Sequence, residues 1–193
     1  MPRHKKFNKD EALKEAMNLF WEYGYHQTSI QNLVDTLKIN RASLYDTFGG
    51  KKELFHLSIQ KYLEGNPQEG FLKFILSHKN VKTGIKSLVE CLIDDSEHDE
   101  KIRGCFLTNS TLEMLPHDEK TGLLIKRNQK DIEEALEKSL RIGKDKGEFK
   151  ADTAIEHLPP LLFALMNGIR VTAKLDFQPK QLRESLNTIL DPL

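Results

Sequence analysis

Apolar residues recur along this chain at steps of three and four, the spacing of a helix that buries one side, and no stretch alternates with the period of a strand. The first helix is expected to open at Asn8 and Glu11, which stand at capping-box spacing, and to carry Leu13, Ala16, Met17 and Phe20 on its buried face. Gly24 is its expected end, because glycine enters the left-handed C′ conformation at little cost. Thr28 and Gln31 repeat the capping-box spacing before a second stripe of Ile30, Leu33, Val34 and Leu37. A turn through Lys38 and Ile39 leads to Asn40, a good N-cap for a short third helix that stops at Gly49 and Gly50. The fourth starts near Lys51 and turns Leu54, Phe55, Ser58, Ile59, Tyr62 and Leu63 to one side.

"EGNPQEG", with Gly65, Pro67 and Gly70, is expected to be a loop between a head of about 60 residues and a second helical body. In that body Ile85, Leu88, Val89, Leu92 and Ile93 mark one helix, and Phe106, Leu107, Leu112 and Met114 mark another that Pro116 closes. A long amphipathic helix then runs to Gly147 with Glu133, Glu134, Glu137 and Lys138 on its solvated face. Two more helices are expected, from about Asp152 to Lys174 and from Pro179 to Leu190. Pro159 and Pro160 should kink or break the first of them, since proline brings no N–H to a helix interior. The fold class is therefore all-α.

Charge changes the picture only locally. The chain has 29 Lys and Arg against 29 Asp and Glu, so any face for a polyanion must be a patch and not the whole surface. Arg3, Lys5, Lys6 and Lys9 all precede the first acidic residue, which makes the N-terminus a compact positive arm. That arm has no apolar segment behind it and is not a secretory signal, so a cytoplasmic location is expected. Cys91 and Cys105 are too few for a disulfide framework and read as small core residues.

Two short helices joined by a three-residue turn, and braced by an earlier amphipathic helix, make a helix-turn-helix unit. In such units the second helix enters the major groove of DNA with its N-terminal residues nearest the bases. Leu44 and Phe48 lie four apart and face the core, which leaves Arg41, Ala42, Ser43, Tyr45 and Asp46 outside. Arg41 can pair with guanine or a phosphate, and Ala42 allows close approach to a thymine methyl. Tyr45 suits a phosphate, as do Thr28 at the start of the second helix and Lys51 at the start of the fourth. Lys5 and Lys6 can follow the backbone or enter the minor groove.

With these residues in view, "TSIQNLVDTLKINRASLYDTFGGKKELF", after a helix ending in "EYGY", resembles the DNA-binding head of TetR/AcrR-type transcriptional regulators over about residues 8–56. "RGCFLTNSTLEM" and "LLFALMNGIRVTAKLDF" are similar to body segments of the same family. The resemblance implies a DNA-binding domain over residues 1–56 and a ligand-binding and dimerisation domain over 57–193. It implies phosphate contacts at Thr28, Tyr45 and Lys51 and base contacts at Arg41 to Ser43. Asp46 departs from the family, where histidine or another neutral or basic residue is common; an acid there is either turned away from DNA or reads a cytosine amino group.

The same resemblance implies a homodimer on a palindromic operator, its four-helix interface supplied by the last two helices; Leu161, Leu165, Gly168 and Ile169 on one and Leu182, Leu186 and Ile189 on the other fit it, the alternative being that these stripes pack within one chain. It also implies a pocket for a small effector, for which the mixed helix faces offer Cys105, Phe106, Asn109, Met114, Phe163, Met166 and Asn167. No charge is expected inside that set, so the expected effector is uncharged or weakly polar. The functional expectation is a ligand-responsive repressor that binds double-stranded DNA without a cofactor. An architectural DNA-binding protein is the alternative. A metal enzyme is weaker: Glu53 with His56, and Asp95 with His98, have di-metal spacing, but "DDSEHDEK" reads as an exposed loop. No catalytic residue and no metal ligand is expected.

Overall fold

The computed structural model describes residues 7–64, 67–115, 117–175 and 177–190. Its helices are α1 (Lys9–Gln27), α2 (Ile30–Leu37), α3 (Arg41–Phe48), α4 (Lys51–Tyr62), α5 (Pro67–Leu76), α6 (Val81–His98), α7 (Phe106–Met114), α8 (Glu119–Asp145), α9 (Leu158–Thr172) and α10 (Pro179–Leu190). A 3-10 turn, Ile155–His157, precedes α9, and no strand occurs among the described residues. None of these helices is long and apolar enough to cross a membrane.

Local chemistry accounts for most of the helix ends. The Asn8 side chain accepts from the N–H groups of Asp10 and Glu11, and that of Asn40 accepts from Ser43 N–H at 2.8 Å. Gly49 ends α3 in the left-handed region and donates its N–H to the Tyr45 carbonyl. Four expectations shift. The capping box of α2 is one residue later than Thr28 and Gln31: Ser29 and Asn32 cap each other's backbone N–H. Residues 67–70 are helical, because proline in a first turn lacks only an N–H that would have no partner there. Pro159 and Pro160 likewise occupy the first turn of α9 and start it where a break was expected. Asp94 to His98, expected in a loop, complete α6, with Asp94 and Glu97 both paired to Arg183.

By packing the chain falls into two units. The first comprises residues 1–64 with 106–125, so α7 and the first turns of α8 are packed with the helix-turn-helix segment. Ala16, Phe20, Leu33, Leu44, Leu54, Phe55, Ile59 and Phe106 are its most deeply buried apolar side chains. Phe55 is the hub: its ring lies 5.1 Å from that of Phe20, 5.0 Å from Tyr25 and 5.7 Å from Phe106, all edge-on. Edge-to-face packing of this kind adds to the gain from burial alone. The second unit, residues 65–105 with 126–193, buries Ile75, Val89, Ile93, Leu136, Leu140, Leu162, Met166 and Ile169. Gly84 is required there, because a Cβ would collide with the Ile75 backbone and push α5 off α6.

Candidate nucleic-acid interface

α3 presents a polar face to the outside. Leu44 is fully buried and Phe48 nearly so, which fixes the rotation of this short helix against the core. Arg41, Ala42, Tyr45 and Asp46 are consequently exposed, with Ser43 half-buried. The Arg41 guanidinium stands 5.9 Å from the centre of the Tyr45 ring. This is cation–π range, so the two outward groups partly hold each other.

α4 begins immediately behind. Its N-cap, Gly50, has φ 107° and supplies no side-chain cap, so the first N–H groups of a helix of 12 residues are left without one. A Cβ at Gly50 would stand 3.0 Å from a Tyr45 ring carbon. The double glycine therefore does two things: Gly49 turns the chain in a left-handed conformation, and Gly50 lets the Tyr45 ring lie against the start of α4. A phenol and an uncapped helix N-terminus side by side suit an anionic oxygen.

Lys51 adds a cation at the same point. Its ammonium lies 4.3 Å from the centre of the Tyr25 ring. Burial lowers the pKa of that ammonium, and the nearby Glu113 carboxylate opposes the shift. Tyr25 is itself pushed up by burial, with Lys52 acting the other way.

Thr28 differs from the expectation. Its side chain is 1% exposed and its hydroxyl donates to the Gly24 carbonyl at 2.7 Å, so it holds the turn before α2 and offers no hydroxyl to a ligand. Lys5 and Lys6, with Arg3, lie outside the described residues.

Behind the interface is a polar cluster that the sequence showed only in pieces. Asp118 N-caps α8 through Thr121 N–H at 3.1 Å, and its carboxylate meets His56 Nε2 at 3.1 Å and Lys52 Nζ at 3.2 Å. Burial pushes the Asp118 carboxyl up, but the Thr121 N–H, His56 and Lys52 together outweigh it and bring the pKa down to about 2. Glu53, whose spacing from His56 is the one the weaker metal-enzyme reading rested on, is 3.6 Å from the His56 ring and is bound by Lys120 at 2.7 Å. Among the described residues no group of three or more His, Cys, Asp and Glu side chains is placed to hold a metal ion.

The expected effector residues are not brought together in one unit. Phe106, Asn109 and Met114 belong to the first, where the Phe106 ring packs on Phe55 and Tyr62. Cys105, Phe163, Met166 and Asn167 belong to the second, where Met166 is core and Asn167 donates to the Phe163 carbonyl at 2.8 Å. A cavity of about 10 Å³ in the second unit, room for about one water, is lined by other residues, Leu140, Phe149 and Leu162 among them. The expected interface residues also divide. Leu161, Gly168 and Ile189 are exposed, Leu165 and Leu182 are half-buried, and Ile169 and Leu186 point into the core of their own unit. The last two are corrections: each stripe is wide enough to serve two faces, and these positions take the inner one.

Comparison with known proteins agrees with this geometry. Residues 12–57 match the model for bacterial regulatory proteins of the tetR family, and residues 83–189 match that for the tetracyclin repressor-like C-terminal domain. An uncharacterized HTH-type transcriptional regulator of Bacillus subtilis, YezE, is 31% identical over the full length of both chains. The HTH-type transcriptional repressor ComR of Escherichia coli is 24% identical, over 97% of this chain and 90% of its own. Among solved structures, a cysteine mutant of the TetR family transcriptional regulator CifR, complexed with a 26-bp double-strand operator DNA, superposes with a TM-score of 0.83. It is 25% identical and covers 98% of each chain.

Proposed function

The chain belongs to the TetR family of bacterial regulatory proteins, and from that premise we propose that it is a ligand-responsive transcriptional repressor that occupies a palindromic operator as a homodimer. The observation that carries this reading is the outward polar face of α3 set against the uncapped start of α4, with the Tyr45 ring between them. Arg41, Ala42 and Ser43 face bases; Tyr45, Lys51 and the first N–H groups of α4 hold phosphates; Lys5 and Lys6 follow the backbone beyond. Thr28 contributes by fixing the turn before α2. Residues 1–56 form the DNA-binding part and residues 57–193 the effector-binding and dimerisation part. The protein works by occupancy and catalyses nothing, and since its target is the bacterial chromosome it acts in the cytoplasm.

One head makes too few base contacts for tight specific binding, so a pair of heads on two half-sites is needed. The exposed apolar side chains of α9 and α10, Leu161 at 58% and Ile189 at 53%, support a dimer surface there. Gly168 lies in the same helix as Leu161 with nothing within 4 Å of where a Cβ would stand, apart from its own helix, which lets a second helix come close. The effector, a small uncharged or weakly polar molecule, displaces the equilibrium by the difference in its affinity for the two forms and no further.

Selection of bound sequences from a random DNA pool, followed by titration of the selected operator, tests the reading. Arg41→Ala is expected to cost about 1–3 kcal/mol and to relax preference at one operator position, because a bidentate base contact is lost. Equal weakening on every sequence would place Arg41 on a phosphate. A protein that binds all DNA alike, with no selected palindrome, would instead be architectural.

A further inference from the structure

α1 is broken from within. Gly24 sits at φ 80°, ψ 171°, and beyond this break the N–H groups of Tyr25 and His26 turn to another helix. They point at a side chain some 90 positions later in the chain. The Glu113 carboxylate, from α7, accepts from Tyr25 N–H at 2.8 Å and from His26 N–H at 2.5 Å. The fit is close, since a Cβ at Gly24 would lie 2.7 Å from a Glu113 oxygen. Glycine is therefore needed twice over, for its conformation and for the space the carboxylate takes. The clamped backbone carries the Tyr25 ring, and that ring carries the Lys51 ammonium at 4.3 Å. Two residues further on, Thr28 closes the same turn through its bond to the Gly24 carbonyl.

We propose that Glu113 is a positioning residue for DNA binding: it holds the α1–α2 junction through the backbone of Tyr25 and His26, and so places Tyr25 and, upon it, Lys51 for a phosphate. This rests on the DNA-binding reading above. The direction of the effect separates it from simple electrostatics. Removing an acid near a phosphate-binding lysine should tighten DNA binding through the field alone, whereas loss of a positioning group weakens it.

The test uses the full-length protein and the selected operator, with binding measured by fluorescence anisotropy across a salt series and folding followed by circular dichroism. Glu113→Gln is expected to weaken operator binding by about tenfold and to lower the salt-dependence slope by about one, as one phosphate contact goes. Lys51→Ala, a change at the edge of the fold, is expected to do the same. The double variant should lose little beyond either single one, because both act on one contact. Unchanged or tighter binding by Glu113→Gln overturns the proposal, as do additive losses in the double variant. Helicity lost in Glu113→Gln at the binding temperature overturns it too, since the carboxylate would then serve stability alone. If the unmodified protein selects no DNA, the DNA-binding reading fails first and this one with it; if it binds and only the Glu113 results disagree, the DNA-binding reading stands.

Discussion

Phe55→Ala is expected to remove about 3–5 kcal/mol of stability, the range for truncating a large aromatic in a closed core. The side chain is fully buried, and the rings of Phe20, Tyr25 and Phe106 all meet it edge-on. These rings come from α1 on both sides of its break at Gly24 and from α7, so the space left by the ring borders several segments at once and cannot be filled by moving one of them. Urea denaturation followed by circular dichroism measures the loss. A change below about 1 kcal/mol, ordinary for an exposed position, would mean that this core closes around the gap or that Phe55 is not its hub. Because Tyr25 rests on Phe55, operator binding should weaken in step, even with the protein still mostly folded.

The second large effect concerns acid. Asp118 has its pKa depressed from 3.8 to about 2 in the folded protein. A depressed carboxyl contributes stability above its unfolded pKa and loses that contribution as pH falls through the folded value. At neutral pH the contribution is about 2 kcal/mol, and it fades from about pH 4 to about pH 2. Asp118→Asn is therefore expected to lower stability by about 2 kcal/mol at pH 7 and to flatten the acid limb of a stability-against-pH curve. Asp118→Ala should cost more, about 3–5 kcal/mol, since it also removes the cap of α8 and leaves His56 buried without its carboxylate. Denaturant midpoints at pH 3, 5 and 7 measure both. An acid limb that Asp118→Asn leaves unchanged would show that other carboxylates govern it.

How much of this was legible beforehand differs from residue to residue. Asn8, Asn40 and Gly49 announced their helix ends because capping is settled within four residues. The stripe of Leu44 and Phe48 announced which side of α3 is inward, and with it the outward set from Arg41 to Asp46. Thr28 was legible as the start of a helix but not as an internal donor, since its hydroxyl found an acceptor only after the chain had bent at Gly24. Asp118 was readable as an N-cap, but its pairing with His56 spans 62 positions and leaves no periodic trace. Glu113 carries no local signal, since the N–H groups it accepts from lie 88 and 87 positions away.

Most of the helices, the caps at Asn8, Asn40 and Gly49, the helix-turn-helix and the family are properties of short windows, and the amino-acid sequence by itself determined them. Packing decided the remainder. Glu113 became a clamp because α7 came to rest on the break in α1; Ile169 and Leu186 turned inward because an apolar stripe does not record which of two neighbours will cover it. Side chains with two plausible partners are sorted only when distant segments compete for the same space. That competition is a long-range matter, settled by the whole core at once and not by any residue's neighbours in the chain.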